Sequence, residues 1–84
     1  MNQLIMFTSN NCPGCLSAKQ TLFTEGVEYR EANVETHEGM TLARQYNIRG
    51  GLPVFIVSNG DGECVNRFEG WHGSIDAFKE WVSK

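Results

Sequence analysis

A basic excess is missing from this chain of 84 residues: seven lysines and arginines stand against ten aspartates and glutamates, a formal charge of -3. That balance supplies no field to draw in phosphate backbones or anionic lipid, so nucleic acid is not expected as a partner. No apolar stretch approaches the roughly 20 residues that span a bilayer, so no membrane segment is expected. The leading apolar run, Leu4-Ile5-Met6-Phe7, has no basic flank and is too short for a secretory signal. Proline is scarce at two residues, and the composition is otherwise ordinary, 40% hydrophobic and 20% charged. Collagen-like, disordered and coiled-coil classes are therefore excluded. Nor is there room for a second domain: a chain this short buries only roughly 60% of its unfolded surface. One domain over residues 1–84, acting as a monomer, is expected.

Cysteine is few and odd in number, three residues, which cannot all pair within one chain. A stapled secreted mini-protein carries an even set. The cysteines are expected to act rather than to hold the fold, in a reducing cytosol where a Cys-x-x-Cys pair can cycle.

What is present is a regular alternation of elements. Gln3 to Thr8 does not alternate in polarity and ends at the turn-forming Ser9-Asn10-Asn11, which predicts a strand buried on both faces. Cys12 to Glu25 predicts a helix with Leu16, Ala18, Leu22 and Phe23 as its apolar stripe and Gly26 as its stop. Val27 to Val34 begins with alternation, Val27 and Tyr29 against Glu28 and Arg30, and predicts a strand. Thr36 to Asn47 predicts a second helix, with Met40, Leu42, Ala43 and Tyr46 available to the core. Val54 to Val57 predicts a third strand, which Asn59-Gly60-Asp61-Gly62 returns as a hairpin through Glu63 to Phe68. Ser74 is a good N-cap for a last helix with Asp76 in its first turn and Ile75, Phe78, Trp81 and Val82 on its apolar face. The order β-α-β-α-β-β-α, with a crossover between the first two strands and a hairpin between the last two, predicts an α/β fold. Its sheet has four strands, mixed, flanked by three helices.

Cys12-Pro13-Gly14-Cys15 falls where the first strand gives way to the first helix. With Cys12 as N-cap, Pro13 takes the first helical position, where its missing N–H removes nothing the helix needs. The Cys12 sulfur then faces the unpaired amides of the first turn and the positive end of the dipole, which favour thiolate over thiol. Such sites lower a thiol pKa from about 8.5 to roughly 3.5–7.5. No Lys or Arg adjoins the pair; Lys19 is one turn further along. Cys12, at the helix tip, is the expected nucleophile toward a substrate disulfide, and Cys15 behind it the resolving thiol. The same cysteines could instead form half of a zinc or iron–sulfur site with Cys64, His37 or His72, although no second Cys-x-x-Cys accompanies them.

With these residues in view the chain resembles the thioredoxin/glutaredoxin family over nearly its whole length. The resemblance rests on Cys12-Pro13-Gly14-Cys15, on Leu52-Pro53-Val54 opening the third strand, and on Gly70 and Gly73 before the last helix. It implies the thioredoxin fold and a cis Pro53 packed against the cysteines, exposing backbone groups that pair with an extended substrate. Pro13, Gly14, Leu52, Pro53, Arg49 and Trp71 are accordingly the expected substrate contacts around the catalytic Cys12 and Cys15. No metal or cofactor is expected beyond the redox-active disulfide itself.

Within that family the features divide. Pro13 matches the glutaredoxin Cys-Pro-Tyr-Cys while Gly14 replaces its tyrosine, and Asn11 stands where thioredoxins carry tryptophan. Tyr46-Asn47-Ile48-Arg49-Gly50 resembles thioredoxin, with Gly51 inserted before Leu52-Pro53. Leu52-Pro53-Val54 and the Trp71 to Asp76 region resemble the small redoxins that serve ribonucleotide reductase and are recharged by thioredoxin reductase. Glutathione-binding glutaredoxins hold the tripeptide with Thr-Val-Pro and a Cys-Asp-Asp type helix start, where this chain has Gly73-Ser74-Ile75-Asp76. The expectation is a dithiol electron donor to protein disulfides, with thioredoxin reductase favoured over glutathione and a glutathione-dependent glutaredoxin as the alternative. Cys64 is expected to be a half-buried small hydrophobe, with a regulatory or intermolecular thiol as the alternative, and His37 and His72 solvated loop residues. Trp71 is open between partner contact and core packing. Arg49 is open between solvated charge and electrostatic tuner of the site.

Overall fold

The computed structural model describes residues 3–48 and 51–71. Strand β1 runs Gln3–Thr8, helix α1 Pro13–Thr24, strand β2 Arg30–Asn33, helix α2 His37–Gln45, strand β3 Val54–Ser58 and strand β4 Cys64–Glu69. The expected last helix, from Ser74, lies outside the described residues.

The sheet has four strands in the order β2-β1-β3-β4, with β1 and β2 parallel and the other pairs antiparallel. This is the mixed sheet that the crossover and the hairpin predict. β1 is central, and its unbroken apolar sequence follows from burial on both faces. Met6 points to a cluster with Cys15, Ala18, Leu22 and Phe55. Ile5 and Phe7 point the other way, with Ala32, Val54 and Ile56, to the side covered by Leu42, Ala43 and Tyr46 of the α2 segment.

Both described helices close with the same device. Past α1, Gly26 adopts φ 71°, and the amides of Gly26 and Val27 donate back to the carbonyls of Phe23 and Leu22. Past α2, Asn47 takes the left-handed role with φ 57°, and the amides of Asn47 and Ile48 donate to Arg44 and Ala43. These are Schellman closures, which satisfy carbonyls a helix end leaves open. The Arg67 guanidinium on β4 adds donors to the carbonyls of Tyr46 (3.1 Å) and Asn47 (3.3 Å), tying the sheet edge to the end of α2.

Four expectations need correction. The stripe assigned to the first helix is half right: Ala18 and Leu22 are buried, but Leu16 is 59% and Phe23 86% exposed. The residues that α1 turns to the sheet are Cys15, Ala18 and Leu22, at spacings of three and four. Met40 likewise faces outward. β2 begins at Arg30 rather than Val27, because Val27 serves the Schellman closure, and Val27 and Tyr29 still pack on the Met6 cluster. Cys64 is exposed, not half-buried. A bulge between the Val57 and Ser58 pairings sets Ser58 against Cys64 and Val57 against Asn66, so Val65 is extra and the alternation that would bury Cys64 is broken.

The strand directions gather four connections at one end of the sheet. The segments after β1, after β2 and after β4 meet the one before β3 there, which brings together Cys12, the Asn33 turn, Pro53 and Trp71.

Candidate active site

Cys12 is the N-cap of α1, with extended backbone (φ -135°, ψ 95°) and Pro13 at the start of the helix. Its sulfur accepts the Cys15 amide at 3.1 Å, so one of the orphan donors of the first turn is spent on it. Charge on that sulfur meets this donor and the positive helix end. Cys12 is half-buried and Cys15 is 2% exposed, and the two are joined by a disulfide with Cα atoms 5.2 Å apart. Cys12 is therefore the more accessible of the two, while Cys15 lies in the core with Met6 and Phe55.

The Leu52–Pro53 bond is cis, as the resemblance implies. Pro53 is buried, and the Gly70 amide donates to its carbonyl at 2.8 Å, extending the β3–β4 ladder past Val54. Gly14 abuts this loop and Leu52 borders both hydrophobic clusters. Trp71 is half-buried, its ring 6.0 Å from that of Phe55, in the cluster that holds both cysteines. Arg49 and His72 lie outside the described residues. His37 is exposed at the start of α2. Among the described residues no group of three or more His, Cys, Asp or Glu side chains comes together.

Two polar networks flank the cysteines, and both escape a reading of the sequence. In the first, the buried Thr8 hydroxyl donates to Glu31 (2.8 Å) and the Lys19 ammonium lies 2.6 Å from the same carboxylate oxygen. Burial pushes the Glu31 carboxyl up, but the hydrogen bonds from Lys19 and Thr8 and the Lys19 charge outweigh it, so it lies below the usual value. The Tyr29 phenol is raised by burial and then by the Glu31 charge, with Lys19 opposing. The one sequence signal is phase: Glu31 falls on the sheet face of Val27, Tyr29 and Met6, although its own side chain is exposed.

In the second network Asn33 holds the loop that carries Cys12. Its side-chain amide donates to the Asn10 side chain at 2.8 Å, its side-chain oxygen accepts the Glu35 amide, and its main-chain oxygen accepts the Thr36 hydroxyl. The Glu35 carboxylate in turn accepts the Asn10 amide. A groove of about 440 Å³ lies between this latch and Lys19, open to Cys12 and Cys15.

A thiol pair at a helix N-terminus beside a cis-proline loop, on a β2-β1-β3-β4 mixed sheet, defines a thiol–disulfide oxidoreductase of the thioredoxin fold. The glutaredoxin family model matches residues 4–57, and the chain belongs to that family. Solved structures similar to it include thioredoxin f from spinach chloroplast, at 17% identity over 98% of this chain and 73% of that one, TM-score 0.77. A thioredoxin-fold protein from Helicobacter pylori is 16% identical over 96% and 68%, TM-score 0.75. The oxidised C-terminal domain of Neisseria meningitidis DsbD is 20% identical over 98% and 78%, TM-score 0.73. No curated protein matches the chain.

Proposed function

We propose that the chain is a dithiol donor that reduces disulfides of other proteins, ribonucleotide reductase among the candidate substrates, in a reducing cytosol. The observation that carries this reading is the asymmetry of the pair: an accessible sulfur stabilised by the Cys15 amide, and a buried one bonded to it. In the reduced form, the Cys12 thiolate attacks one sulfur of the substrate disulfide. A mixed disulfide forms and the first substrate thiolate leaves. Cys15, having given its proton to solvent, then attacks the Cys12 sulfur. The Cys12–Cys15 bond forms, the second substrate thiolate leaves, and two electrons have passed to the substrate. Leu52, half-buried beside Gly14 and held in place by the buried cis Pro53 behind it, supplies the wall against which an extended substrate segment lies.

The oxidised pair is recharged by a flavoprotein thioredoxin reductase that draws on NADPH. The glutaredoxin family match favours a second reading, recharging by glutathione. Parallel assays separate the two, one with NADPH and thioredoxin reductase, the other with glutathione and a small glutathione mixed disulfide. Turnover in the first and little in the second is expected; the opposite pattern overturns the choice of reductant.

A further inference from the structure

The groove beside Cys12 has a chemical character that the exchange reaction alone does not require. One wall is the loop of Ser9, Asn10 and Asn11, fixed by the Asn33 amide and the Glu35 carboxylate. The far end is Lys19, and Leu16, more than half exposed, lies between. No carboxylate lines the groove, although two stand behind its ends, Glu35 at Asn10 and Glu31 at Lys19. The volume falls in the range of about 300–1,000 Å³ typical of sites that enclose a ligand. Because the latch holds the loop before anything binds, little ordering cost is left for an occupant.

Lys19 is the element that sets polarity. An ammonium has three donors, and Glu31 takes one of them. Glu31 is itself held as an anion by Thr8 and Lys19. The ammonium is thereby anchored at the end of a groove that starts at the reactive sulfur, with donors left over for an acceptor group.

We propose that this groove is a docking subsite for the polypeptide flanking the substrate's cysteine, and that Lys19 selects substrates with a carboxylate there. The inference rests on the dithiol-donor reading and deepens it by naming the class of substrate. The polar amides of Asn10 and Asn11 bind backbone groups of the segment, Leu16 covers its apolar atoms, and Lys19 receives the acidic side chain. The occupant is a segment of a protein, not glutathione, whose own carboxylates offer similar chemistry.

Single-turnover reduction tests this without any recharging system. Protein reduced with dithiothreitol and freed of it is mixed with two disulfide peptides, identical except for Asp or Lys beside the reacting cysteine. The Asp peptide is expected to react about fivefold faster at low salt, the upper end of what an exposed ion pair provides. The ratio shrinks as salt rises. Lys19→Gln brings the ratio toward one, Lys19→Arg keeps it, and Glu31→Gln, which frees the ammonium, widens it. Equal rates for the two peptides, or a ratio unmoved by Lys19→Gln, overturn the docking proposal while leaving the dithiol donor standing. So does a Lys19 effect seen only with a glutathione mixed disulfide. If neither peptide is reduced, the dithiol-donor reading itself fails.

Discussion

Gly14 lies against Pro53 closely enough that a Cβ on the glycine would stand 3.4 Å from the proline Cδ and 4.0 Å from the Leu52 carbonyl oxygen. One methyl group therefore fits at ordinary contact distance and anything larger must turn outward across the gap between the two loops. Gly14→Ala is expected to fold normally, with stability raised by at most about 0.5–1 kcal/mol as helix-breaking freedom is lost. Its reduction of protein disulfides slows, since the methyl narrows the wall the substrate lies on. Denaturant melts beside kcat/KM for a protein disulfide check both parts; unchanged kinetics would show that substrate does not use this gap.

The two sulfurs differ in access, and their variants should differ in kind. Cys15→Ser retains the accessible nucleophile and loses the resolving thiol, so it accumulates a mixed disulfide with substrate that non-reducing gels or intact mass reveal. Cys12→Ser neither reduces nor captures substrate. In the reduced protein near neutral pH, iodoacetamide labels Cys12 before Cys64, because only the Cys12 sulfur has a helix amide aimed at it. Preferential labelling of Cys64 would remove the basis for calling Cys12 the nucleophile.

Glu31 gives the fold an acid-sensitive element. Its folded-state carboxyl lies below the ordinary value of 4.5, so its stabilisation is fully present above that value and is lost as pH falls through the folded one. Glu31→Gln retains an oxygen for Thr8 but no charge for Lys19. At pH 7 it is expected to cost no more than about 1 kcal/mol, the range of an exposed pair. The gap between wild type and variant closes on acidification below the carboxylate range, measurable as converging urea midpoints.

Gly39 leaves no room for a side chain. A Cβ there would stand 1.8 Å from the Asn33 carbonyl oxygen, a backbone atom that cannot be moved without opening the turn between β2 and α2. Gly39→Ala is expected to cost about 3 kcal/mol, the upper range for overpacking. That same turn holds Asn10 through Asn33, so residual folded protein should also alkylate more slowly at Cys12. A thermal melt and an alkylation time course report the two effects separately.

Much of this was legible in the residues. The unbroken run Gln3 to Thr8 gave its strand to the residue, because burial on both faces leaves a continuous apolar signature. Cys12 as N-cap and Pro13 at the helix start follow from the few conformations each tolerates, and the cis Leu52–Pro53 bond from family resemblance. What escaped depends on pairing across the chain. Glu31 reaches Thr8, and Asn33 reaches Asn10, only because β2 lies beside β1 with Thr8 opposite Asn33, a register no local pattern encodes. Phe23 and Leu16 misled because apolar residues are read as buried, whereas α1 turns Cys15, Ala18 and Leu22 to the sheet. The exposure of Cys64 was hidden by one extra residue in a hairpin whose alternation looked regular.

That bulge leaves a free thiol at the start of β4, beside Ser58 and Gln3 and thus at the end of the sheet away from Cys12. While the Cys12–Cys15 pair is oxidised, a maleimide finds Cys64 alone among the cysteines. A dye, spin label or bead linker placed there and then exposed to a non-thiol reductant would leave the protein tethered by its back, with the reactive face turned toward the solution.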